Sequence, residues 1–319
     1  MSSKEVKVYI PCGGGLGDVI QSYLASPDNH WIQSHEVPDK FPTSDNYLSL
    51  WFRRLESFKF QNQDSSIIVK AMCHNPAITQ LFQYHPFIDY TELIRYEDIG
   101  EWWRGECDGY KNIRYYKSND DDNRDYEEYI PSEPVIYLSD SEYKYFNSII
   151  CKPFVVIHPF AGLKHRAVLD EKDYINIIDR LIDEGLFPIV IGGTYKRNTL
   201  NPEFTNEEFY YETDGMLNLV NRSSVQFNVR LAMECKGFIG THSSMILPAW
   251  YNKVHSVCIV PPTHDGGQAW EEFASSGNPT AWGFKQDFNK TIIVRDKNNI
   301  DYEEIIEWVT HQKRTKLEK

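Results

Sequence analysis

Phe154-Val155-Val156-Ile157-His158-Pro159-Phe160-Ala161-Gly162 reads as a short apolar strand running into a proline- and glycine-bearing loop. Asp170 then stands as a helix N-cap, and Tyr174, Ile177, Ile178, Leu181 and Ile182 recur behind it at helical spacing. Gly185 takes the position just past that helix. Pro188-Ile189-Val190-Ile191 is the next strand, and it ends in Gly192-Gly193-Thr194. Strand, helix and strand in that order make a βαβ unit, which requires a parallel sheet. The alternation continues downstream. Ser223 or Ser224 caps a helix through Cys235, Phe238-Ile239 is a strand, Ser243 to Trp250 is a helix, and Val257-Cys258-Ile259-Val260 is another strand. Tyr302 to Val309 forms a last amphipathic helix before a basic tail.

The first half follows the same grammar less regularly. Val6, Val8 and Ile10 open a strand that meets Pro11-Cys12-Gly13-Gly14-Gly15-Leu16-Gly17, and a helix starts at about Asp18. Ile67-Ile68-Val69 is a buried strand. Pro76 starts a helix carrying Ile78, Leu81 and Phe82, which ends near His85-Pro86. The aromatic, charged stretch from Trp102 to Tyr129 reads as an insertion or a set of short strands. The α/β pattern restarts at residues 147 to 153. This predicts an N-terminal domain over residues 1–150, a second α/β domain over 151–300, and a C-terminal helix and tail over 301–319.

A chain of 319 residues, 41% hydrophobic and 14% aromatic, is ample for two buried cores. The formal net charge of −13 argues against a general phosphate-backbone binder, whose affinity comes from clustered Lys and Arg. Cys12, Cys73, Cys107, Cys151, Cys235 and Cys258 are scattered with no C-x-x-C pair, as suits reduced thiols in a cytoplasmic protein. The N-terminus leads straight into a strand without signal-peptide character, and no apolar run reaches the length of a membrane span.

Two junctions carry most of the chemistry. One is Gly13 to Asp18 after the first strand. The other is Gly240-Thr241-His242-Ser243-Ser244-Met245 after the strand Phe238-Ile239. At such strand-to-helix turns, backbone N–H groups and a helix dipole can meet an anion or a polar substrate. Two of them, one in each α/β half, suggest a ligand held between two domains.

These residues resemble the heptosyltransferase-like glycosyltransferases. Gly15-Leu16-Gly17-Asp18-Val19-Ile20 is similar to that family's glycine loop and aspartate, and Leu81 to Asp89 to its "leucine, then proline, then aspartate" segment. Ile157 to Gly162 resembles the opening of its second domain, and Ile189 to Gly193 its apolar strand with a glycine pair. Gly240 to Met245 resembles its Gly-x-Asp-Ser-Gly-x-x-His segment. The matches are collinear and leave residues 100 to 145 and 263 to 290 unmatched. The family's aspartate in the last motif falls on His242, its glycine on Ser244 and its histidine on Leu247. Its Lys-x-Trp-Pro element is not kept, although Lys164, His165 and Arg166 are basic.

The resemblance implies an α/β fold of the GT-B type: two Rossmann-like domains with parallel sheets facing a central cleft. The first domain is then acceptor-side and the second binds a nucleotide sugar, with the last helix packing back on the first domain. It implies an inverting, metal-independent transfer from a nucleotide-diphosphate sugar, a co-substrate rather than a cofactor. The acceptor is a glycan, a protein or a modified nucleobase. Asp18 is the candidate base, within the acceptor-side loop of Gly14, Gly15 and Gly17. The donor-side candidates are His158, Lys164, Arg166, Gly193, Thr241, His242, Ser243 and Ser244, which are basic, polar or small groups suited to a diphosphate whose charge grows as it departs. The same residues also have plain structural uses. Asp18 and Ser243 can cap helices, Lys164 can be a loop lysine, the histidines can be satisfied core residues, and the glycines can serve a tight turn.

Four other readings are weighed. A nicotinamide-dependent oxidoreductase lacks the third glycine of G-x-G-x-x-G, and a P-loop lacks Gly-Lys-Ser/Thr. A metal-dependent GT-A transferase would use a D-x-D such as Asp120 and Asp122, which sit in a run of polar residues that reads as a solvated loop. A non-catalytic nucleotide-sugar or glycan-binding protein would explain the changes at His242 and Leu247.

Overall fold

The computed structural model describes residues 5–12, 16–24, 66–73, 75–94, 106–113, 135–161, 166–193, 208–264, 267–275 and 283–311, with positions 52, 55, 56, 58 and 59. The chain divides into two compact units, Met1–Tyr137 and Leu138–Lys319.

The first unit is built on strands β1 (Glu5–Cys12), β2 (Ser66–Cys73), β3 (Tyr90–Leu93), β4 (Glu106–Cys107) and β5 (Tyr110–Asn112), ordered β3-β2-β1-β5-β4. The β1–β2 pair is parallel and in unbroken register from Glu5–Ser66 to Cys12–Cys73. Helix α1 (Leu16–Leu24) buries Leu16, Val19, Ile20, Tyr23 and Leu24, the one-sided stripe of an amphipathic helix. Helix α2 (Pro76–Phe82) begins on the Asn75 cap, whose Oδ1 accepts the Ala77 N–H at 2.9 Å, with Pro76 in the first helical position. Asp89 then seals the entry to β3: its Oδ2 accepts the Val69 N–H at 2.6 Å, and its own N–H donates to the Val69 carbonyl at 2.9 Å. Part of the stretch with no clear reading is a hairpin. β4 and β5 are antiparallel around Asp108-Gly109, both at positive φ (50° and 76°), as an Asp-Gly two-residue turn requires.

The second unit has a six-stranded sheet in which every pairing is parallel. Its strands are β6 (Phe154–His158), β7 (Phe187–Val190), β8 (Leu217–Asn218), β9 (Gly237–Gly240), β10 (His255–Val260) and β11 (Asn289–Ile293), ordered β11-β10-β9-β6-β7-β8. The helices are α3 (Asp140–Ile149), α4 (Glu171–Asp183), α5 (Val225–Glu234), α6 (Ile246–Tyr251), α7 (Trp270–Ser275) and α8 (Tyr302–His311). The core joins Val155 and Ile157 of β6, Ile177, Ile178 and Leu181 of α4, Ile239, Val257 and Ile259 of the neighbouring strands, and Ile305, Ile306 and Val309 of α8.

The two units meet at Tyr137 and Leu138, and α3 is tied into the second unit. Glu142 closes the Ser139 capping box of α3 and also accepts the hydroxyl of Ser224, the N-cap of α5. Ile305, Ile306 and Val309 of helix α8 pack into the core of the second unit. Val309 lies so near β9 that a Cβ on Gly237 would be 2.9 Å from the Val309 Cβ. Tyr302 also donates to Asp173 of α4 at 2.8 Å.

Candidate functional site

Strand order locates the ligand edge of each sheet. In the second unit the chain passes from β6 outward to β7 and β8, then returns to the other side of β6 as β9 and continues to β10 and β11. The reversal opens a crevice at the carboxyl ends of β6 and β9, the topological switch point at which open α/β sheets take ligands. In the first unit the chain passes from β1 to β2 and β3, and β5 later pairs with the other side of β1. The switch point there is the carboxyl end of β1, which leads into residues 13–15 and α1. Both chemistry-bearing junctions therefore lie at switch points.

At the β6–β9 edge, His158 is the last residue of β6 and is paired in register with Gly240, the last residue of β9. Its side chain is buried, and its Nδ1 lies 3.1 Å from the Ser243 hydroxyl. Burial pushes its pKa down to about 3, so the imidazole is neutral at ordinary pH. Thr241 is also buried, and its hydroxyl donates to the Arg166 backbone carbonyl at 2.9 Å. The loops that follow β6 and β9 are thus joined at two points.

Ser243 and Ser244 are half-buried in the loop that follows β9. Ser243 accepts the Met245 N–H at 3.3 Å. It does not cap a helix: α6 starts at Ile246, is six residues long, and has Met245 at its N-cap position without a side-chain bond. The expected helix from Ser243 is three residues shorter at its start, and so short a helix adds little dipole to an anion site. Arg166 is half-buried beside the loop, and Gly193 is buried three residues past β7, on the other neighbour of β6. Lys164 lies outside the described residues.

His242 goes elsewhere. Its ring is buried among Trp250, His264, Trp270, Phe273 and Phe284, with ring centroids 5.3 to 6.2 Å away. His264 stacks on Phe273 at 3.9 Å. Three of these rings come from residues 264 to 273, a stretch with no family match, and nothing local in the sequence ties them to His242. His242 belongs to the packing that carries the loop, whereas Ser243 and Ser244 are only half-buried.

In the first unit, Asp18 is exposed in the first turn of α1 and Gly17 precedes it, half-buried. A carboxylate there offsets the helix dipole. Gly14 and Gly15, like Asp120 and Asp122, lie outside the described residues. No helix among the described residues is long and apolar enough to cross a membrane.

Two α/β units, each with a largely parallel sheet and a switch point at its leading strand, correspond to the fold class of GT-B-type proteins. Among solved structures the chain is similar to E. coli ADP-heptose lps heptosyltransferase II, at 13% identity and a TM-score of 0.52 over 98% of this chain and 99% of that one. It is also similar to a glycosyl transferase family 9 protein of Veillonella parvula, at 11% identity and a TM-score of 0.49 over 97% and 96% of the two chains. At 13% identity the likeness is one of fold. No protein-family model and no curated protein matches the chain.

Proposed function

We propose that this protein is an inverting, metal-independent glycosyltransferase that moves a sugar from a nucleotide-diphosphate donor to an acceptor hydroxyl. The observation that carries this reading is the position of both chemistry-bearing junctions at sheet switch points, in a chain whose fold matches a heptosyltransferase over nearly its whole length. That neighbour is named for ADP-heptose. For this chain the proposal covers a nucleotide sugar in general, with a glycan, a protein side chain or a modified nucleobase as acceptor.

In the proposed reaction the donor lies at the β6–β9 edge. Ser243 and Ser244 meet the diphosphate, and Arg166 and Lys164 offset its charge. Asp18 takes the proton of the acceptor hydroxyl as the new glycosidic bond forms. The bond from the sugar carbon to the diphosphate breaks with its electron pair left on the departing oxygen, where positive groups and hydroxyl donors stabilise it. The protein works in the cytoplasm, as unbridged Cys12, Cys73, Cys151, Cys235 and Cys258 suit.

A thermal-shift screen over nucleoside diphosphates and their sugars tests donor binding, since a ligand of the native state raises the melting temperature. With a donor in hand, Asp18→Asn abolishes transfer and leaves donor binding intact; near-normal turnover in that variant would sink the assignment of the base. The burial of His242, where the family resemblance puts an aspartate, favours one second reading: a nucleotide-sugar-binding protein without turnover. Donor binding with no transfer over a broad acceptor panel supports that reading instead.

A further inference from the structure

We infer that His158 is a positioning residue that sets the Ser243 hydroxyl for the donor diphosphate, without touching the donor itself. This rests on the reading of the β6–β9 edge as the donor site. Three observations lead to it. His158 is only 4% exposed, so it offers a ligand almost no surface, while Ser243, bonded to it at 3.1 Å, is half-buried. The bond spans the switch point, since His158 ends β6 and Ser243 follows β9. The approach is also built into the backbone. A Cβ on Gly240 would lie 2.6 Å from the His158 carbonyl oxygen, so the two strand ends can sit this close only with glycine there.

Burying an imidazole requires a compensating hydrogen bond, which an apolar residue at the same position would not need. At His158 the ring nitrogen that meets Ser243 supplies one. With Met245 N–H on the same oxygen, the Ser243 hydroxyl is held from two sides before any ligand arrives. A group fixed in advance spends less conformational entropy when it binds, and the benefit is felt in affinity.

The test uses the full-length protein and the nucleoside diphosphate among ADP, GDP, UDP and CDP that binds the wild type most tightly. Its dissociation constant is measured by calorimetry for wild type, Ser243→Ala, His158→Leu, His158→Asn and the Ser243→Ala/His158→Leu double variant. Losing a hydroxyl bond to a charged oxygen predicts about a 10-fold weaker affinity for Ser243→Ala. His158→Leu weakens binding by a similar factor, the double variant is no weaker than either single one, and His158→Asn, with an amide near the Nδ1 position, recovers most of the loss. Additive losses, wild-type affinity in His158→Leu or in Ser243→Ala, or no recovery in His158→Asn overturn the inference. Failure of both His158 variants to fold makes the residue purely structural and overturns it as well. If the wild type binds none of the four diphosphates, it is the donor-site reading that fails.

Discussion

Gly240 faces His158 across the β6–β9 pair so closely that a methyl group on Gly240 would lie 2.6 Å from the His158 carbonyl oxygen. The obstacle is backbone in a central strand pair, which cannot swing aside as a side chain can. Gly240→Ala therefore destabilises the second unit by about 1–3 kcal/mol through overpacking. Urea unfolding followed by far-UV circular dichroism reads the effect. An unchanged midpoint would mean that the strand ends are not this close.

Stability falls with acid through the buried histidines. His158 and His85 are both held near pKa 3, His158 by burial and His85 by burial first and the Lys59 charge second, against an ordinary value of 6.5. Below pH 6.5 the unfolded chain takes up protons that the folded protein refuses. Their contribution is therefore complete above pH 6.5 and is lost as pH falls from there toward 3. The loss is at most about 1.4 kcal/mol per pH unit for each histidine. Denaturation midpoints at pH 7 and pH 5 check this, and His85→Gln, which removes one of the two groups, reduces the difference between them.

Helix α8 stabilises the second unit. Ile305 is fully buried in the core shared with α4 and β9. Ile305→Ala leaves a cavity there and costs about 2–5 kcal/mol. Hydrogen exchange resolved by peptide locates the loss. Protection falls over α4, β9 and β10, while β1 and β2 keep theirs. Loss of protection in β1 and β2 with none in α4, β9 and β10 would mean that Ile305 does not hold this core together.

Most of the second unit was legible before the structure. The strand at Phe154, the helical spacing from Tyr174 to Leu181, and Gly185 at positive φ just past the helix all stand where the residues indicate. The hairpin at Asp108-Gly109 carried a recognisable turn signal within a stretch that otherwise gave no pattern. For the candidate residues the sequence showed polar and small groups at strand ends, but not how each side chain turns. Thr241, His242 and Ser243 are adjacent polar residues in one loop, yet the first braces Arg166, the second joins an aromatic core, and the third bonds His158. Which way each side chain turns depends on Trp270 and Phe273, some thirty residues downstream, and on His158, 85 residues upstream of Ser243.

By itself the sequence determined the kinds of element and their succession, because apolar periodicity, caps and turn residues act within a few positions of one another. Parallel strands separated by helices then follow, and so does the α/β class. Strand order was decided only by the tertiary structure. Nothing in Gly237-Phe238-Ile239-Gly240 says that it pairs with β6 rather than β8, since parallel partners are chosen by packing between segments far apart in the chain. The order of strands in each sheet places the Gly240 and Asp18 junctions at switch points. It also buries His158 beneath Ser243 and draws α8 onto the second unit, where its isoleucines complete the core.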